Sequence, residues 1–146
     1  MIRNDHIRCF FCFLLINKLR EKLRKDHEMK YDNDNFYIPA ALFHGKYGRH
    51  LQSLDLILYG FYFKEHLKAK KKDQVDKEGD VYFTFDDNEL TKIFNNPRHE
   101  LLEAKQRLEY IKLITYKNIN RHYIYVNPPE IDDEVVEGMR KYYELK

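Results

Sequence analysis

The sequence predicts a mostly helical α+β fold, and three observations predict it. Apolar residues recur at helical spacing in several separate segments, each preceded by a residue suited to cap a helix. Short runs rich in aromatic and β-branched residues, at 81–85, 113–117 and 122–126, lie between those segments and alternate as strands do. Glycine (5) and proline (4) are scarce among 146 residues, which argues against a many-turned β-sandwich and against a large loop-built active site.

The elements follow in order. Residues 36–43 are apolar, and Pro39 suits the first turn of a short helix. Residues 44–48 break it, with Gly48 as a backbone pivot. Ser53 is placed to cap the strongest helix, in which Leu54, Ile57, Leu58 and Phe61 follow i, i+3, i+4, i+7. Tyr62 and Phe63 make that helix apolar on more than one face, as a central helix is. Residues 64–80 read as a charged connection with Lys70, Lys71 and Lys72 at its basic end and a turn at 76–80. After the strand 81–85, Asp86 and Glu89 have the form of a capping box ahead of Leu90, Ile93 and Phe94. Asn96 is placed to cap the next helix, with Pro97 opening it. Helix 97–111 has Leu101, Ala104, Leu108 and Ile111 as a narrow apolar stripe, widened by Leu102. His99, Glu103, Gln106, Arg107 and Tyr110 lie opposite. The strands 113–117 and 122–126 are joined by a tight hairpin at 118–121. Residues 130–143 return to helix, with Ile131, Val135, Met139 and Tyr142 on one face and acids at the N-terminal end, where the helix dipole favours them. Helix, strand, helix, helix, strand, strand is the order of a winged helix-turn-helix: a three-stranded antiparallel sheet packed on three helices, followed by a C-terminal helix.

The formal charge of +2 conceals alternating blocks. Residues 73–90 hold seven acids against Lys77 alone, whereas 91–126 hold seven basic residues and three acids. The near-neutral total excludes a uniformly basic binder, but the helix-turn-helix and wing are locally basic. The predicted domain is 36–146, preceded by an extension at 1–35. In that extension Leu15, Leu19 and Leu23 have amphipathic spacing among basic residues. The alternative is that translation begins at Met29. The apolar run 9–16 falls far short of the roughly 20 residues of a membrane span, and no signal-cleavage pattern follows it, so the chain reads as cytoplasmic. Cys9 and Cys12 have no second pair to complete a zinc site and read as inert thiols.

Enzyme chemistry is not indicated. There is no phosphate-binding glycine loop, His-Glu-x-x-His or Gly-x-Ser-x-Gly pattern, and the seven histidines have no metal-ligand spacing, so no cofactor or metal is expected. Binding is the expected activity. Helix 97–111 would enter the major groove of double-stranded DNA, with Arg98 on guanine or a phosphate, Gln106 on adenine, and His99 and Arg107 on the backbone. Asn96 lies at the head of that helix and Lys92 on the preceding one. Lys117 and Arg121 flank the wing tip, where they would meet phosphates or a minor groove. A protein-interaction module remains the rival reading, through the Tyr-rich strands with Tyr123 and Tyr125 on one side of the wing.

Four segments together carry a family resemblance: Phe36-x-x-Pro39-x-x-Leu42-Phe43; Leu51-x-x-Leu54; Glu78-Gly79-Asp80-Val81-Tyr82-Phe83-Thr84-Phe85 ahead of the acid-capped helix; and Leu108-Glu109-x-x-x-Leu113-Ile114. Over residues 36–126 the chain resembles the N-terminal domain of the RepA_N plasmid replication initiators of low-GC Gram-positive bacteria. The resemblance implies a winged helix that binds repeated origin DNA to start plasmid replication, forms a homodimer and meets host replication proteins. The family usually has Gly where this chain has Lys112, and a longer wing. Its members also carry a further C-terminal domain, whereas this chain closes one helix after the wing. It therefore reads as an initiator's DNA-binding domain, a truncated initiator, or a relative reused as a regulator on a mobile element.

Overall fold

The computed structural model describes residues 36–117 and 122–144. A short 3₁₀ helix, Ala40–Phe43, follows Pro39 and leads into α1 (Gly45–His50). Then come α2 (Ser53–Lys71), α3 (Asp87–Phe94) and α4 (Arg98–Tyr110). Two short strands, β1 (Ile114–Thr115) and β2 (Tyr125–Val126), pair antiparallel with Ile114 opposite Val126 and Thr115 opposite Tyr125. Helix α5 (Asp133–Glu144) closes the chain described.

Helix α2 is the spine. Its Leu58, Tyr59 and Tyr62 are fully buried, and Phe61 and Phe63 nearly so. They share one core with Leu101, Ala104 and Leu108 of α4, with Leu113, Ile114 and Ile124 in and beside the strands, and with Ala41, Leu42 and Tyr47. Phe61 makes edge-on contacts with Phe36, Phe85 and Phe94 at centroid distances of 5.8, 5.0 and 5.4 Å, the geometry that aromatic quadrupoles favour. Ile57, expected in the apolar stripe, is exposed, because the helix turns its Asp55 face to the core instead.

That buried face contains the one buried charged side chain among the described residues, Asp55. Arg107 of α4 donates to it from Nε (2.8 Å) and Nη2 (2.9 Å), forming a two-point fork. The backbone N–H of Gln52 also donates to Asp55, at 2.9 Å, in a capping box that starts α2. The cap residue is therefore Gln52 and not Ser53.

Other boundaries differ from the sequence reading for local reasons. Residues 45–50 form a helix, not a break. Gly45 permits this at φ +58°, where a Cβ would also press on Val135 at 2.9 Å. Helix α2 runs on to Lys71, because a charged segment without Gly or Pro has no reason to stop. Pro97 is the residue capping α4, and Arg98 the first inside it. Asp86 caps α3 by accepting from Asn88 N at 3.0 Å, while Glu89 is exposed. Three helices end in a left-handed residue, Asp73, Asn95 and Lys112. At the third, Leu113 N donates to Leu108 O at 3.0 Å, which closes a Schellman turn with Lys112 at φ +64°. That position is the one at which the family resemblance leads one to expect glycine.

The expected three-stranded sheet is reduced to two strands. The 81–85 segment joins only through Phe83, which exchanges two backbone hydrogen bonds with Ile124 (3.2 and 2.8 Å). Just before it, Val81 bridges Val75 and Tyr82 N donates to Gln74 O, so the chain turns back on itself there. The hairpin tip at 118–121 lies outside the described residues, as does the extension at 1–35.

The wing is tied down by the acidic turn at 76–80. Asp76 accepts from Tyr125 Oη (2.7 Å), from the backbone N–H groups of Glu78 (2.9 Å) and Asp80 (3.0 Å), and from Lys117 Nζ (3.1 Å). These donors, led by Tyr125, hold the Asp76 carboxyl well below the usual carboxylate range. Burial and the bond to Asp76 push the Tyr125 phenol up to about 12. Tyr82 stacks on Tyr123 at 4.0 Å. Beyond the wing, Tyr59 Oη donates to Asn127 O and Glu130 N donates to Tyr47 Oη, both at 2.7 Å, so two phenols pin the segment that leads into α5. Helix α5 buries Val135 and Met139 as the sequence spacing predicts, but it starts at Asp133 and not at residue 130, so Ile131 precedes it and is half-buried.

Three outcomes follow for stability. Arg107→Met leaves the Asp55 carboxylate buried without its cation, and denaturant unfolding is expected to show a loss of about 3 kcal/mol. Lys112→Gly relieves a left-handed residue and is expected to stabilise by up to ~1 kcal/mol in the same measurement. Asp76 has a lowered pKa, so its contribution is full above the ordinary carboxylate value of about 4 and is lost as pH falls through its own lower one. Thermal unfolding across pH should therefore show an advantage of wild type over Asp76→Asn that is constant near neutrality and shrinks below about pH 4.

Candidate nucleic-acid interface

Helix α3, the three residues Asn95, Asn96 and Pro97, and helix α4 form the helix-turn-helix. Asn95, left-handed at φ +54°, ends α3 with its N–H on Thr91 O at 3.0 Å. Pro97 then sets the entry to α4. Burial of Leu101, Ala104 and Leu108 fixes the rotation of α4 about its axis. His99, Glu103, Gln106 and Tyr110 consequently form one exposed stripe at i, i+4, i+7, i+11, as predicted for four of the five residues opposite the apolar stripe. Tyr110 is 83% exposed, unusual for an aromatic side chain.

The predicted contact residues fall into three groups. Arg98, His99 and Gln106 are exposed on α4, and Lys92 is exposed on α3. Among the described residues Arg98 and Lys92 have no ion-pair partner, so both cations face solvent uncommitted. Asn96, Arg107 and Lys117 are engaged within the protein. The Asn96 amide donates to Glu100 at 3.1 Å, beside the first turn of α4. Arg107 is held by Asp55, which raises its pKa further. Lys117 donates to Asp76, to Glu78 at 2.8 Å and to Asp80. Arg121 lies outside the described residues.

An open groove of about 720 Å³ runs beside α4 and joins the helix-turn-helix to the wing. Arg98 and Lys105 line it from α4, Asp86, Asp87 and Glu89 from the start of α3, and His122 and Ile124 from the wing. Lys105 pairs with Asp87 at 2.8 Å and so fastens α4 to the head of α3. The sequence reading did not single out Lys105, His122 or the acids facing them. Spacing gives Lys105 the same α4 face as Arg98, seven residues away, but the opposing wall comes from other elements.

Among the described residues, Asp76, Glu78 and Asp80 are the group whose donor atoms lie close enough for a metal, and Lys117 already occupies their centre. No helix of the described residues is long and apolar enough to cross a membrane.

This architecture recurs in solved structures. One described as the N-terminal domain of a DNA-binding protein aligns with a TM-score of 0.64 at 20% identity, covering 85% of this chain and 94% of that one. A structure of an MDR initiator aligns with a TM-score of 0.65 at 19% identity, over 83% and 95% of the two chains. A structure of a Rep–DNA complex aligns with a TM-score of 0.66 at 22% identity, over 80% and 91%. At these identities the likeness is one of fold. No curated protein matches the chain. The sequence model of the N-terminus of replication initiator protein A (RepA) matches residues 35–134, which span the helix-turn-helix, the wing and the start of α5. The chain therefore belongs to the RepA_N family of replication initiator N-terminal domains.

Proposed function

We propose that this chain binds double-stranded DNA in plasmid or mobile-element replication initiation, with α4 as the reading element and the wing beside it. The observation that carries this reading is the exposed stripe of α4. It is polar and rotated outward by a fully buried opposite face, and the unpaired cation Arg98 stands at its head. The helix N-terminus adds its own partial positive charge at Arg98. In the major groove Arg98 would pair with guanine or a phosphate, Gln106 with adenine, and His99 with the backbone. Lys92 would supply a flanking phosphate contact, and Arg121 is the further cation the sequence offers for one. Asn96, Arg107 and Lys117 support the interface by shaping it. The Rep–DNA complex among the structural neighbours supports the choice of partner. A cytoplasmic location, a homodimer and contact with host replication proteins belong to the same reading and rest on the family.

A protein-interaction surface is the second reading, favoured by Tyr110 and by Ile93, which is 53% exposed. Anisotropy titration of the full chain with a labelled duplex separates the two. Under the DNA reading affinity falls steeply as salt rises, and Arg98→Ala weakens binding by about tenfold with an unchanged melting temperature. Binding that ignores salt, or that survives Arg98→Ala intact, would remove α4 as the proposed interface.

A further inference from the structure

Lys117 is the last described residue before the wing tip, where a phosphate-contacting lysine would stand free. Here its ammonium faces three carboxylates, Asp76 at 3.1 Å, Glu78 at 2.8 Å and Asp80, and lies 4.7 Å from the centre of the Tyr125 ring. One carboxylate oxygen from each of those acids lies within 4.8 Å of the other two. One cation among three anions leaves a surplus of two negative charges at the base of the wing.

The three acids are not equivalent. Asp76 orders the turn, since it also takes Tyr125 Oη and two backbone N–H groups. The side chains of Glu78 and Asp80 are 73% and 57% exposed, and Lys117 is the partner each is seen to hold. Exposed ion pairs contribute little to stability, and crowding like charges reduces even that. Neither acid is needed for the turn to form, because Asp76 receives its bonds from their backbones and not their side chains. Their physical effect is therefore directed outward, onto whatever anion approaches the wing.

Resting on the DNA reading above, we propose that Glu78 and Asp80 restrain DNA binding: they withhold Lys117 from the phosphates and repel the duplex at the base of the wing. The sequence-independent part of binding scales with the number of cations that reach phosphates. Withholding one such cation, and adding two anions beside it, lowers that part while leaving the base-edge contacts of α4 untouched. Affinity then depends more on what α4 reads and less on charge.

The test uses the full chain, a mixed-sequence labelled duplex and salt titration. In Glu78→Gln/Asp80→Asn the fold-ordering Asp76 is retained. This double variant is expected to bind about tenfold more tightly at low salt, and its log–log salt slope to steepen by about 0.9, the value for one added phosphate contact. Lys117→Met in the wild-type background removes no phosphate contact, so its log–log salt slope should not become shallower than that of wild type. Lys117→Met in the neutralised background should abolish the added slope. The proposal is overturned if the double variant binds as wild type does, or if the steeper slope survives Lys117→Met. It is equally overturned if Lys117→Met alone makes the wild-type slope shallower by about 0.9, the value for one lost phosphate contact. Wild-type binding separates the two levels of inference: a duplex bound by wild type but indifferent to these variants removes only the restraint, whereas no binding by any variant removes the DNA reading with it.

Discussion

The two-point ion pair between Asp55 and Arg107 is the constraint on which the interface depends. Removing a carboxylate from water is unfavourable by several kcal/mol unless a cation and further donors accompany it, and Asp55 is entirely inaccessible. The fork geometry is directional, so it fixes more than the distance between α2 and α4. It sets the rotation of α4 about its own axis and its sliding along α2. Hydrophobic contacts alone, from Leu101, Ala104 and Leu108, would tolerate small rotations. With Arg107 locked, the stripe of His99, Gln106 and Tyr110 has one outward direction. The same carboxylate completes the capping box at Gln52, so the start of the spine and the aim of α4 share one group.

Charge acts here through neighbours and not through totals. The acidic block at 73–90 and the basic block at 91–126 do not form two opposed surfaces. They interlock, with Lys105 on Asp87 and Lys117 among Asp76, Glu78 and Asp80. Much of the positive charge assigned to the wing and the reading helix is thereby consumed inside the domain, and Arg98 and Lys92 keep theirs. The segment leading into α5 and the first turn of α5 repeat the device, with Glu130 and Glu134 reaching Lys46 and Arg49 of α1.

Helices with one apolar stripe were legible in the sequence. The α4 stripe and the buried face of α5 follow directly from spacing, because a single partner surface imposes a single period. Helix α2 was legible as central but not in its orientation, since it is apolar nearly all round and Ile57 and Asp55 exchange the places that periodicity gives them. Arg107 and Lys117 looked like DNA contacts because their partners lie 52 and up to 41 residues away, beyond any local pattern. The 81–85 segment has the composition of a strand, yet the turn before it claims Tyr82 N, and one bridge at Phe83 is what remains. The family motif pointed to a glycine at Lys112, and the positive φ there shows why: the Schellman turn is kept even though the residue that suits it is not.

The short segment between β2 and α5 is a mechanical element. Tyr59 grips it at Asn127 and Tyr47 grips it at Glu130, so both clamps are phenols rooted in the helical core. Val126 lies in the sheet immediately before the first clamp, and α5 begins at Asp133, shortly after the second. The roughly seven residues of chain between the sheet and α5 are thus fixed to the core near both ends, so a displacement of α5 is stopped at the clamps before it reaches the wing. Each exposed element is thus anchored to the same helical core by a separate polar contact: α4 through Asp55, and the chain that leaves the wing through Tyr59 and Tyr47.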